Sequence, residues 1–323
     1  MSTVVAEIVR SGVVEGHHHG SVLALAADGS VAYALGDVTS PILPRSCNKP
    51  LQGLAMVRNG LELPPDLLAL GCGSHSGEPF HVDGVRRILD AAGLGEDALQ
   101  NPPDLPLAPD VRDALLRAGG EPSRVLMNCS GKHAAMLATC VHNGWDTGSY
   151  LDISHPLQRA IAETFADATG EPIAHTAVDG CGAPLLSTSL GGLARGFVRL
   201  ATATDGAERR VADAIRTHPE HVSGSTRDER ALLTAIPGAI GKMGAEACYV
   251  LALPDGRAIA LKIDDGADRA RPIVMAATLQ LLGWDTGSTA AGEIDTDAVR
   301  GTGRHPLFGG GAQIGEIRAA LRR

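Results

Sequence analysis

Apolar residues in the first forty positions come in short, β-branched runs at 4–9, 13–14, 22–25 and 31–35. Turn-forming residues separate them at Ser11-Gly12, Gly20 and Asp28-Gly29. Runs of this length, punctuated by glycine and Asp-Gly, read as strands joined in hairpins. His17-His18-His19 falls between two of these strands and reads as native sequence. From Ser46 on the period lengthens. Leu51, Leu54 and Ala55 follow helical spacing, with Gly60 as a stop. Further helices are predicted near 81–92, 132–141, 156–168, 208–218 and 272–282. Strand pattern returns at 247–253 and 257–263, joined by Pro254-Asp255-Gly256, a hairpin turn. The proline-rich stretch 101–109 is a loop between helices, and Arg322-Arg323 reads as the tail of a closing helix.

Hairpins, a helical middle, then a hairpin followed by a helix predict an α/β fold. Antiparallel strands from both chain ends meet in one sheet, with a helical lobe beside it and an active site in the crevice between. No linker, internal repeat or low-complexity tract divides the chain. The expectation is one domain over 1–323, with two lobes whose boundary the sequence does not mark.

Composition narrows the function classes. The 323 residues are 44% hydrophobic and 20% charged, which is ordinary for a globular chain and long enough for a full core. A formal charge of −9 and 3% aromatics argue against a nucleic-acid partner, which needs clustered cations or stacking rings. No stretch approaches the ~20 apolar residues of a membrane span, and no secretory leader is recognisable, so a cytoplasmic protein is expected. Six cysteines spread over the chain are too sparse for a disulfide scaffold, so reduced thiols are expected.

The candidate chemistry begins at Arg45-Ser46-Cys47-Asn48-Lys49-Pro50. A serine opening a helix with a lysine three residues on places amine and hydroxyl on one face, and Pro50 costs nothing in a first turn. The local dipole favours an alkoxide there. A neutral Lys49 would take the Ser46 proton, which requires its pKa to fall from ~10.4 toward ~7, a cost of about 4–5 kcal/mol. Ser-x-x-Lys also arises by chance, and a serine at that place also serves as a helix cap.

Two later elements add context. Gly71-Cys72-Gly73-Ser74-His75-Ser76-Gly77 is a small-residue loop after the apolar run 67–70, and Gly241-Lys242-Met243-Gly244 leads into the strand at 247–253. Ser-x-x-Lys, a loop serine, then Lys-x-Gly before a strand is the order found in penicillin-recognising serine enzymes. It offers a second serine–lysine pair, Ser74 with Lys242. A second cation near Lys49 is one way to favour its neutral form. A further cluster, Asn128-Cys129-Ser130-Gly131-Lys132-His133 with the distant Asp179-Gly180-Cys181-Gly182, holds two cysteines. By spacing alone these are two buried thiols or half of a metal site.

Together these segments resemble the bacterial L-asparaginase II family of the Rhizobium etli inducible type. Arg45-Ser46-x-x-Lys49-Pro50-Leu51-Gln52, Ser74-His75-Ser76-Gly77-Glu78-Pro79, Cys129-Ser130-Gly131-Lys132-His133, His155-Pro156, Asp179-Gly180-Cys181-Gly182, Gly241-Lys242-x-Gly244-Ala245-Glu246 and Asp264-Asp265-Gly266-x-x-Arg269-Ala270 carry the likeness over nearly the whole chain. Two departures stand out: the chain is shorter before Gly241-Lys242, and Asn101-Pro102-Pro103 replaces a Cys-Gly-Pro element. The resemblance implies a serine β-lactamase/glutaminase-like fold and hydrolysis of asparagine to aspartate and ammonia. It implies catalytic Ser46, Lys49, Ser74 and Lys242, and one zinc per chain on Cys129, Lys132, Cys181 and water, without an organic cofactor. Free asparagine also needs a cation for its α-carboxylate and an anion for its ammonium. Arg45 and Asp179 are the candidates, with His133 orienting one of them. A small-molecule substrate and a homodimer are expected. A glutaminase, another β-lactamase-like acyl hydrolase, and a non-catalytic zinc- or small-molecule-binding relative are the alternatives.

Overall fold

A computed structural model of the protein describes residues 3–322. Three strands open the chain, β1 (Thr3–Arg10), β2 (Val13–Leu25) and β3 (Val31–Leu35). Helices α1 (Lys49–Arg58), α2 (Pro65–Gly71), α3 (Pro79–Ala91), α4 (Pro109–Arg117), α5 (Ser130–Asn143) and α6 (Pro156–Thr169) follow. A short hairpin, β4 (Thr176–Val178) and β5 (Pro184–Leu186), precedes α7 (Leu190–Thr202), α8 (Gly206–Thr217), α9 (Pro219–Val222) and α10 (Asp228–Ala235). The chain returns to strand in β6 (Ile240–Gly244), β7 (Cys248–Ala252) and β8 (Ala258–Ile263), then α11 (Arg271–Leu282). A two-residue ladder, β9 (Ser288–Thr289) with β10 (Gly292–Glu293), leads to α12 (Thr296–Thr302) and a last hairpin, β11 (His305–Gly309) and β12 (Ala312–Ala319).

Two compact units result, each built from separated stretches of sequence. The sheet unit takes the chain up to Cys47, Thr188–Thr202, and everything from Ala231; the helical unit takes Asn48–Ser187 and Ala203–Arg230. Among the described residues, no helix is long and apolar enough to cross a membrane.

In the sheet unit, eight antiparallel strands lie in the order β11-β12-β1-β2-β8-β7-β6, with β3 also on β2. The expected meeting of strands from both chain ends is therefore present: β1 pairs with β2 on one side and with β12 on the other. Runs 13–14 and 22–25 are not separate strands. They are two ends of one 13-residue strand, exposed in its first half and buried in its second. Gly20 lies inside it, one residue past the midpoint, and is not a turn. A Cβ there would strike the carbonyl oxygen of Lys262, where β2 passes from β1 to β8, so the glycine serves a close approach. Strands β6 and β7 are buried along their whole length, as strands covered on both faces are. Helix α7 packs on β2, β6, β7 and β8, and α11 on β1, β7, β8 and β12. The expected closing helix at Arg322 is absent: β12 ends at Ala319 and Arg322 follows it in irregular backbone, while Arg323 lies outside the described residues.

In the helical unit, α1 is the hub. Every residue from Lys49 to Val57 is buried, so this helix has no solvent face and packs against α5, α6 and α8. Helix α5 is nearly as deep, contacting α2 and α3 as well.

Candidate active site

Ser46 lies in a 3-10 turn, Arg45–Asn48, that runs without interruption into α1, whose first residue is Lys49. Residues three apart on such a turn lie on the same side of the chain. The turn is fastened to β6 within the sheet unit: Cys47 Sγ donates to the carbonyl oxygen of Lys242 at 3.0 Å. Gly244 explains how close this packing is. A Cβ there would overlap the carbonyl oxygen of Pro44 and stand 3.2 Å from Ser46 N. Lys242, on the same strand, is fully buried, and its Nζ donates to Met243 O at 2.9 Å.

Backbone strain gathers at this place. Four described non-glycine residues have positive φ, and three of them are Arg45 (52°), Glu246 (59°) and Ala247 (50°). Such conformations cost on the order of 1–3 kcal/mol each and persist where the surroundings dictate them. Arg45, the sequence's candidate for the substrate carboxylate, has its Nη1 3.5 Å from Glu246 Oε1. Glu246, quoted above only within a family segment, is thus a neighbour of its guanidinium. The signal was present in the Gly244-Ala245-Glu246 turn, but only the φ values single it out.

The Ser74 loop follows α2 in the helical unit. Ser74 N donates to Val222 O at 2.8 Å and His75 N to Asn128 O at 3.1 Å. Ser76 Oγ donates to Ser223 O at 2.8 Å. Lys49, 1% exposed, reaches this loop from the start of α1: its Nζ donates to Gly73 O and, at 2.9 Å, to Ser74 Oγ. Each candidate serine thus has a lysine within its own unit, Lys49 on Ser74 and Lys242 on the strand that backs the Ser46 turn.

His75, a residue the sequence quoted but gave no role, links this loop to the head of α5. Its Nδ1 accepts from Gly77 N at 3.1 Å, and its Nε2 lies 2.8 Å from Ser130 Oγ, which itself donates to Val125 O. With Nδ1 occupied as an acceptor, Nε2 carries the proton and gives it to Ser130. Burial, and then His81 and Lys49, hold its pKa well below the ordinary imidazole value.

Beside it, Cys129, Lys132 and Cys181 come together in a buried cluster with Met127 and Ala183. The β4–β5 turn delivers Cys181, so that Cys129 and Cys181, far apart in sequence, meet through a hairpin. Cys129 shares its proton with Cys181, which holds the Cys181 thiol far below its ordinary pKa despite burial, with Lys132 assisting; Cys129 is raised well above its own. Burial opposes a charge on Lys132, but the two sulfurs override it and raise its pKa. Its Nζ stands 3.0 Å from Cys181 Sγ. One thiolate, one thiol and one ammonium therefore form a neutral set.

That set fits zinc. Exchanging two protons, one from Cys129 and one from Lys132, for a dication leaves the net charge at zero, and two sulfurs with an amine suit a borderline-soft ion. His133 stands next to them. Tyr150 OH accepts from Gln100 N and lies 2.7 Å from His133 Nδ1, so the tyrosine proton goes to Nδ1 and the imidazole proton sits on Nε2. Burial pushes the Tyr150 hydroxyl up to about 12 and His133 down to about 4. Buried Nε2 meets no partner in hydrogen-bonding geometry among the described residues, although Cys181 is close enough to act on the ring. Asp179 caps the same hairpin turn, with Oδ2 3.7 Å from Cys181 Sγ.

A sequence profile of L-asparaginase II matches residues 6–319 of the chain. No curated protein matches it in sequence. Among solved structures it is similar to a β-lactamase from Mycobacterium bovis, at 17% identity over 81% of this chain and 94% of that one, with a TM-score of 0.46. A β-lactamase from Desulfarculus baarsii gives 19% identity, 82% and 91% coverage and a TM-score of 0.36. Unliganded simvastatin synthase from Aspergillus terreus gives 11%, 82% and 94%, and 0.39.

Proposed function

The chain belongs to the L-asparaginase II family, and from that premise we propose that it hydrolyses L-asparagine to L-aspartate and ammonia through a serine–lysine mechanism. The observation that carries this reading is the buried amine of Lys49 on Ser74 Oγ, at the head of the helix that Ser46 leads into. A neutral lysine amine has two N–H donors and one lone pair. Gly73 O and Ser74 Oγ use both donors, which leaves the lone pair to accept a proton. Ser46 Oγ attacks the side-chain amide carbon while Lys49 takes its proton. Ser74 and Lys242 pass a proton to the departing nitrogen as the C–N bond breaks. Water then cleaves the acyl-enzyme, releasing aspartate and restoring Ser46.

Zinc, held by Cys129, Cys181 and Lys132, would supply a Lewis-acidic centre with a position open to water that orients the substrate. The nucleophile is already a serine. Arg45 and Asp179 are the proposed partners of the α-carboxylate and α-ammonium, with His133 as an orienting group. Six buried cysteines in the reduced form support a reducing, cytoplasmic location. Exposed Val13, Val14 and Phe308 offer apolar surface for a homodimer, which sedimentation would detect.

Ammonia release from purified protein tests the reading, with L-glutamine in parallel. Wild-type turnover of asparagine that vanishes in Ser46→Ala, with an unchanged thermal transition, supports it. Comparable turnover in Ser46→Ala refutes it. A glutaminase would instead prefer the longer amide, a choice worth only about 1–3 kcal/mol per methylene.

A further inference from the structure

Apart from the serine–lysine pairs and the cysteine cluster, three side chains of the helical unit converge with no role in the chemistry above. His218, Glu220 and His221 each bring one ligand atom within 4.8 Å of the others. Both imidazoles aim Nδ1 at the same carboxylate oxygen: His221 Nδ1 lies 3.1 Å from Glu220 Oε1, and His218 Nδ1 lies 3.5 Å from it. We propose that these three residues form a second divalent-metal site, for a borderline cation of the zinc or cobalt(II) class, and that the bound ion braces the Ser74 loop.

The donor set points to that cation class. Two neutral imidazoles and one carboxylate leave coordination positions open to water, and such a set selects first-row transition metals over calcium or magnesium. The three side chains are partly exposed, so solvent can complete the shell and an ion can enter. Their surroundings limit movement. His81, fully buried, has its Nε2 2.9 Å from Glu220 O, and Phe80 packs edge-on to the His221 ring at 4.9 Å. Outer contacts of this kind orient metal ligands.

What the ion would do follows from the backbone of the four-residue helix α9 and of Ser223 just after it. Val222 O receives the amide of Ser74, and Ser223 O receives the hydroxyl of Ser76. A Cβ at Gly73 would lie 2.8 Å from both His221 O and Val222 O, so loop and helix touch backbone to backbone. Three ligands spanning α9 and its lead-in residue would fix the helix that holds the loop in place. The site uses none of the residues of the cysteine cluster, so its test separates from that of zinc there.

The experiment uses the full chain, stripped with chelator and titrated with cobalt(II). Thiolate ligation produces strong near-ultraviolet charge transfer; imidazole and carboxylate ligation does not. The expected result is cobalt bound without thiolate absorption, and lost in His218→Ala and in His221→Ala while any thiolate band persists. In wild type, bound cobalt should slow deuterium uptake in the peptide spanning 71–78 several-fold, and in the two variants it should not. Cobalt binding unchanged in both histidine variants overturns the site. Cobalt binding that leaves uptake at 71–78 unaltered overturns the brace. Should one alanine variant misfold, Glu220→Gln supplies a third, and weakened cobalt binding there supports the assignment.

Discussion

Lys49 Nζ donates a 2.9 Å hydrogen bond to Ser74 Oγ, and both groups are buried. If Ser74 relays the proton to the leaving nitrogen, Ser74→Ala should lower kcat by about 10²–10⁴-fold, the usual worth of a general acid or base. Fold stability should change by only about 1 kcal/mol, since Lys49 keeps Gly73 O. Steady-state kinetics with a urea titration read both quantities. A Ser74→Ala enzyme at wild-type rate removes Ser74 from the reaction.

Gly244→Ala probes the Ser46 turn without touching any reacting group. The new methyl would overlap Pro44 O and press on Ser46 N, so the turn must shift. A displacement approaching 1 Å is worth about 10²-fold in rate, while overpacking of this kind costs about 1–3 kcal/mol. We expect kcat to fall far more than the denaturation midpoint accounts for.

Zinc binding at the cysteine cluster should release two protons. Cys129 is raised and Lys132 is raised, so both are protonated in the metal-free protein at neutral pH, whereas Cys181 is already a thiolate. Zinc affinity should therefore rise by about tenfold per proton released for each pH unit, or about a hundredfold between pH 7 and 8. Calorimetry in buffers of different ionisation enthalpy counts the protons. A release of zero or one would show that Lys132 stays charged and is no ligand.

Acid should destabilise the metal-free protein through two buried histidines. Burial lowers His81 to about 4, and lowers His75 well below its ordinary value. In both, Nδ1 already accepts a backbone N–H, from Glu78 and Gly77, so a second proton has nowhere to go. The unfolded chain binds these protons near pH 6.5 and the folded chain does not. Stability is thus complete above about 6.5 and declines as pH falls toward 4, by up to about 3 kcal/mol for His81. Chemical denaturation at pH 7, 6 and 5 should show this slope, and Ser130→Ala should leave the His81 part intact.

Much of this arrangement could be read from the residues. The hairpin of β7 and β8 announced itself through Pro254-Asp255-Gly256, and Gly60 marked the end of the α1 turn region. Lys242 was harder. Gly241 to Gly244 reads as a lead-in to the strand at 247–253, yet it forms a strand of its own, β6, where a Cβ at Gly241 would crowd Val250 O at 3.0 Å and one at Gly244 would overlap Pro44 O. The β11–β12 hairpin is hard to read because all but one of its residues are half-exposed or exposed, so the apolar alternation that marks a strand is faint. The pairing of Cys129 with Cys181 has no periodic signature at all. It depends on where a hairpin of two three-residue strands happens to point, and only the family resemblance brought it forward.

Strand β1 sits in the interior of its sheet, and its neighbour on one side is β12, the last strand of the chain. During synthesis, β1 leaves the ribosome with that side unpaired, and it stays so until β12, about three hundred residues later, has followed. The segments of the helical unit all emerge by Arg230, so that unit can consolidate while the sheet still carries an open edge. Such an edge invites pairing with a stranger's strand. A nascent chain of this protein is therefore exposed to aggregation until β12 has emerged, and chaperone occupancy should concentrate on β1 in that interval.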